Sequence, residues 1–261
     1  MDDARASQLP RPLSRIALGT FKIGRTAGAK YPNTYDLPSE DAAAALLGAA
    51  LDLGITLIDT APAYGLAEER IGRALAHRRD DFILSTKVGE HFEEGASRFD
   101  FTARGIRESV EASLRTLRTE VIDILLVHSS GDDLAILAQS DTVETLHALR
   151  DEGKARLIGF SGKTVEGQRQ ALDWADALMV EYNLDNRDQE EVIATAADTG
   201  AIVLIKKGLA SGHLDGEEAL RFLMQESPVA EAIDSVVIGS GSIARMQQNY
   251  EIMASFSPQA G

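Results

Sequence analysis

The chain contains no cysteine, which excludes a disulfide framework and a thiolate-ligated metal site. Cations are scarce. Lysine and arginine number 26 against 41 aspartates and glutamates in 261 residues, a formal net charge of -15. Over most of such a surface phosphates are repelled, which argues against a general role on nucleic acid or a membrane surface, so a phosphate ligand would need a local basic pocket. No apolar run approaches membrane-spanning length. The start, Met1-Asp-Asp-Ala-Arg5, lacks the cationic and apolar stretches of a signal peptide. A cytoplasmic location is the expectation. The five histidines are scattered without paired ligand spacing, so no metal site is expected. No stretch reads as an interdomain linker or a low-complexity segment.

What is present is an ordinary globular composition, 44% hydrophobic and 26% charged, with the apolar residues spread along the chain. Residues 1–12 read as a loose leader to a single domain spanning 1–261. Short apolar runs over 15–20, 55–58, 82–88, 122–128, 156–161, 177–183, 201–205 and 235–238 read as strands, and amphipathic stretches between them read as helices. Ser39 is a candidate N-cap, and Leu46, Leu47, Ala50 and Leu51 form an apolar stripe that Gly54 stops. Ile106, Val110, Leu114 and Leu117 mark a third helix, Trp174 falls in a fifth, and a charged loop spans 89–100. Eight alternations of strand and helix predict an α/β fold, a single (β/α)8 TIM barrel. Residues 22–38, with two glycines and two prolines, form a long loop of functional type.

In such a barrel the C-terminal ends of the strands carry the chemistry. Asp59 and Tyr64 stand where the second strand gives way to a helix, Lys87 at the end of the third and His128 at the end of the fourth. Each has a structural reading alone: a cap, a packed ring, a solvated amine, a core histidine. Together they form an acid–base set, in which a cation could lower the phenol's pKa from its usual value near about 10.

Gly239-Ser240-Gly241-Ser242-Ile-Ala244 matches the dinucleotide fingerprint G-x-G-x-x-A. A Rossmann unit needs a second strand and an acid about 20 positions on, and the sequence stops at Gly261. The turn suits instead the barrel phosphate site after the last strands, where amides at a helix start face an anion. Arg245, Lys206 and Lys207 would make the local basic pocket. Gly159-Phe-Ser161-Gly162 lacks the spacing of a nucleophile elbow.

Asp59-Thr-Ala-Pro-Ala-Tyr64-Gly65 with Glu68-Glu-Arg70-Ile-Gly72, then Ser85-Thr-Lys87-Val88, then Leu126-Val-His128-Ser129, resembles the aldo-keto reductases in order, spacing and strand placement. The resemblance runs from about Leu18 to Asn249. It implies NADPH-dependent reduction of an aldehyde or ketone, with Tyr64 as general acid, Lys87 making it more acidic, Asp59 holding Lys87 charged, and His128 a neutral donor to the carbonyl. Around the cofactor it places Gly19, Thr20, Ser161 and Lys206, and at the adenosine end Ser240, Gly241, Ser242, Arg245, Gln248 and Asn249. Ser161 matches the serine that contacts the carboxamide. The chain departs from the family pattern at Gly162 (often Asn), Met179 (Gln), Lys206 (an aromatic that stacks on nicotinamide) and Gly239 (a cation near the 2′-phosphate). NADP therefore rests mostly on Arg245, with NAD as the alternative. The implied partner is a small carbonyl substrate, with Phe21, Tyr31, Tyr35, Phe92 and Phe99 as pocket walls and a monomer or small homo-oligomer as the assembly. An NAD(P)-dependent sugar or alcohol dehydrogenase and a nucleotide-binding regulatory barrel remain open readings.

Overall fold

Alternation with period two, combined with burial on both faces, decides the architecture. A computed structural model describes residues 5–256. Its strands, numbered along the chain, are β1 (Ile16–Gly19), β2 (Leu57–Asp59), β3 (Ile83–Val88), β4 (Glu90–Glu93), β5 (Ala96–Phe99), β6 (Ile122–His128), β7 (Ala155–Ser161), β8 (Ala177–Glu181), β9 (Ile202–Lys206) and β10 (Ser235–Gly239). The helices are α1 (Glu40–Asp52), α2 (Ala67–Leu75), α3 (Ala103–Leu117), α4 (Asp133–Ala138), α5 (Ser140–Asp151), α6 (Val165–Ala171), α7 (Glu190–Thr199), α8 (Gly216–Arg221) and α9 (Ile243–Phe256).

Eight parallel strands close in the order β1-β10-β9-β8-β7-β6-β3-β2, the expected barrel. Residues of one phase, among them Ile58, Leu84, Leu125, Ile158, Leu178 and Val203, pack outward against the helices. Those of the other phase, Leu57, Ile83, Leu126, Leu157, Ala177, Ile202 and Leu204, fill the interior. Ser39 caps α1 as expected, accepting from the Ala42 amide at 3.2 Å. Among the described residues no helix is long and apolar enough to cross a membrane.

Four local expectations change. The described part of the leader is held down: Leu9 is buried with the barrel interior, worth on the order of 1.5–3 kcal/mol, and Thr56 donates to the Pro12 carbonyl at 2.8 Å. The charged loop over 89–100 is an antiparallel hairpin, β4 paired with β5. Glu94 and Gly95 both hold positive φ (51° and 83°), the left-handed pair that a two-residue hairpin turn requires and glycine accepts without strain. The helix expected before Gly153 is two helices, because the buried Asp133 spends one carboxylate oxygen on the amides of Lys163 and Thr164, both at 2.7 Å, and so fixes α4 separately from α5. Trp174 lies beyond the end of α6, in a turn.

Candidate active site

Inward phase at each strand end puts one residue of every barrel strand on the mouth. Following Ala17, Leu57, Ile83 and Leu126 by the two-residue repeat leads to Gly19, Asp59, Lys87 and His128; following Leu157, Met179, Leu204 and Val237 leads to Ser161, Glu181, Lys206 and Gly239. All eight line one cavity of ≈ 290 Å³. The outward phase of β3 serves the fold instead. Thr86 donates to the buried Glu68 of α2 at 2.6 Å, and Ser113 of α3 donates to the same carboxylate at 3.1 Å. Arg70, from the same motif, donates to the Ile23 carbonyl at 2.6 Å. Glu68 and Arg70 of that motif thus pin α2 to its neighbours.

Lys87 and Asp59 are almost fully buried, and the Lys87 ammonium donates to Asp59 Oδ1 at 2.7 Å, Oδ2 at 2.8 Å and the Thr60 carbonyl at 2.8 Å. Burial pulls the ammonium toward neutrality, but Asp59 and Tyr64 outweigh it and raise the Lys87 pKa. Tyr64 sits in a single turn of 3-10 helix, Pro62–Tyr64, with its ring centroid 4.9 Å from Lys87 Nζ. Glycine at position 24 lets the loop after β1 reach this turn: a Cβ there would stand 1.8 Å from the Tyr64 carbonyl oxygen. The sequence expects a more acidic phenol. Instead burial, helped by the negative charges of Asp59 and Glu90, raises the Tyr64 pKa above its usual value against the opposing pull of Lys87.

The His128 ring lies 6.1 Å from the Tyr64 ring, edge to face. Its Nδ1 is 2.8 Å from Glu90 Oε2, a close contact without the geometry of a linear hydrogen bond. Burial lowers the His128 pKa more than Glu90 raises it, leaving a neutral ring at neutral pH. Glu90 is itself pulled down to about 2: burial works upward, and His128, Ser97 and Arg25 more than reverse it. No sequence signal marks Glu90, because its role depends on a hairpin that brings β4 beside the end of β6.

Ser161 and Lys206 meet, the Lys206 ammonium donating to Ser161 Oγ at 3.0 Å and to the Gly162 carbonyl at 2.7 Å. Thr20 faces neither cavity; its hydroxyl and amide are both spent on the Asp59 carbonyl, at 2.9 and 3.0 Å. Ser240, Gly241, Ser242, Arg245, Gln248 and Asn249 line a second cavity of ≈ 780 Å³ that shares Tyr31, Lys207 and Gly239 with the first. Two features of that groove suit a dinucleotide. A Cβ at Gly241 would meet only Lys22 Cβ, at 3.9 Å, so glycine keeps a cradle open there. The first turn of α9 has amides without helical partners, which favour an anion. Lys22 also lines the groove; burial and then the charge of Arg245 depress its pKa, so two cations line this groove although Gly239 supplies none. Sequence reasoning passed over Lys22, whose only signal is its place two residues after Thr20. Of the expected pocket walls, Phe21 and Tyr31 line the first cavity and Tyr35 the second, whereas Phe92 packs under Arg25 and Phe99 stacks on Phe101.

The model of the aldo/keto reductase family matches residues 15–220, most of the chain. The chain belongs to the aldo/keto reductase family. Aldo-keto reductase YhdN of Bacillus subtilis is 36% identical over 211 residues, covering 78% of this chain; the chain spans 61% of that relative's length. An NADH-specific methylglyoxal reductase of Escherichia coli is 32% identical over 220 residues, with 78% of this chain and 66% of the relative covered. PA4992 of Pseudomonas aeruginosa, whose solved structure is described as that of an aldo-keto reductase, is 40% identical with a TM-score of 0.84 over 94% of this chain and 90% of its own. Aldo/keto reductases are NAD(P)H-dependent enzymes acting on small carbonyl compounds.

Proposed function

We propose that the chain is an NADPH-dependent reductase of a small aldehyde or ketone. The observation that carries this reading is the convergence of Tyr64, Lys87 and His128 on one cavity that opens into a groove with paired cations. Lys22, Arg245 and the α9 start would hold the adenosine phosphates, and Ser161 with Lys206 the nicotinamide end. A bound dihydronicotinamide supplies hydride for the carbonyl carbon. Tyr64 gives its hydroxyl proton to the carbonyl oxygen as negative charge builds there, and the Lys87 ammonium stabilises the phenolate left behind. Neutral His128 borders the same oxygen site and fixes its direction.

The raised Tyr64 pKa keeps the phenol protonated at neutral pH, the form from which reduction starts. NADPH oxidation with 4-nitrobenzaldehyde tests the reading. Tyr64→Phe should lower turnover by a factor on the order of 10² or more while leaving NADPH affinity unchanged. Equal turnover in the variant would remove Tyr64 as the acid. Tight binding without turnover in either protein would make the regulatory barrel the better description.

A further inference from the structure

Resting on the reductase reading, we propose that Lys206 discriminates between the two oxidation states of the bound cofactor, weakening the cationic pyridinium form and so biasing the site toward reduction. Lys206 ends β9 in the inward phase, and its ammonium is anchored by Ser161 Oγ and the Gly162 carbonyl at 3.0 and 2.7 Å. Among the described residues no carboxylate lies at ion-pair distance from it; Glu181, the nearest strand-end acid in register with it, is paired with Lys207. The cavity that Lys206 lines is the one Tyr64 and His128 line. A hydride donor must lie within reach of a carbonyl whose oxygen is at Tyr64, so its ring has to share this ≈ 290 Å³ with the ammonium.

Reduced and oxidised cofactors carry the same phosphates, and they differ by one positive charge on the ring. Two unit charges about 6–12 Å apart in a medium of effective dielectric near about 20 discriminate by roughly tenfold to a hundredfold. The charged groups around Lys206 decide when that force acts. Lys207 just after β9, Lys87 on β3, Glu181 on β8 and Asp133 on α4 face it, with His128 beside it on β6. Burial first, and then Lys207, pull the Lys206 pKa down to about 7. The ammonium is therefore present below about pH 7 and lost above it, and discrimination against the oxidised form follows the same course.

Dissociation constants for NADP+ and NADPH, measured by calorimetric titration at about pH 6 and about pH 8.5, test this. In the wild-type chain the NADP+/NADPH ratio should be on the order of tenfold or more at the lower pH and should fall at the higher. Lys206→Met should give a low ratio independent of pH, and Lys206→Arg a high one independent of pH. A wild-type ratio and pH dependence retained in Lys206→Met would overturn the inference while leaving the reductase reading intact. If the wild-type chain binds neither dinucleotide, the reductase reading falls and this inference with it.

Discussion

Asp59→Asn is the perturbation that most directly tests how the site is held together. It is nearly isosteric, yet it removes the charge that two of the three Lys87 donors point to, at 2.7 and 2.8 Å, and leaves only the Thr60 carbonyl and a neutral amide oxygen. Both side chains are almost fully buried, 2% and 1% exposed. Breaking a buried pair by removing one partner costs about 3–5 kcal/mol, because the survivor's charge stays desolvated. At about 2–4 °C per kcal/mol for a chain of this size, the melting temperature near neutral pH should fall by about 6–20 °C. In the wild-type chain the raised Lys87 pKa contributes stability that is present below the unfolded value of 10.5 and lost as pH rises through the folded one. In the variant only Tyr64 is left to oppose the pull of burial on Lys87, so the gap between the two proteins should narrow toward alkaline pH. The double variant Asp59→Asn with Lys87→Met removes the orphaned charge and should recover at least half of the loss, without recovering turnover. Thermal melts followed by circular dichroism decide the matter. A single variant melting within about 2 °C of wild type, or a double variant as unstable as the single, would refute the claim that the pair is electrostatically coupled in a dry site.

Two further outcomes follow from the groove and the hairpin. Arg245→Ala should raise the NADPH dissociation constant by about ten- to a hundredfold, the worth of a charge-assisted hydrogen bond, and leave the NADH constant nearly unchanged; equal effects on both would mean that the 2′-phosphate is not bound there. Glu90 has a folded pKa pulled down to about 2 from 4.5, so its stabilising contact is present above pH 4.5 and lost as pH falls toward 2. Urea midpoints of wild type and Glu90→Gln should accordingly differ above pH 4.5 and converge below it, and a constant difference across that range would rule out the charge contact with His128.

The chain's own local chemistry determined the barrel and the candidate residues at its strand ends. Near-continuous apolar runs mark strands buried on both faces, and Asp59, Lys87 and His128 are legible as the polar residues at the ends of three of them, whereas the inward phase that brings them to one rim is fixed by closure of the barrel. The hairpin was hidden because Glu90–Phe99 is charged and carries no apolar alternation; its turn is set by Glu94 and Gly95, a backbone property that composition does not announce. What only the tertiary structure decided is everything that depends on distance between remote segments. Lys22 and Arg245 meet because closure of the barrel lays β1 against β10. Glu90 reaches His128 because β4 folds back over the mouth. The direction in which Tyr64 and Lys206 titrate was set there as well, since burial is the largest cause at both, and burial belongs to the assembled barrel rather than to any stretch of sequence.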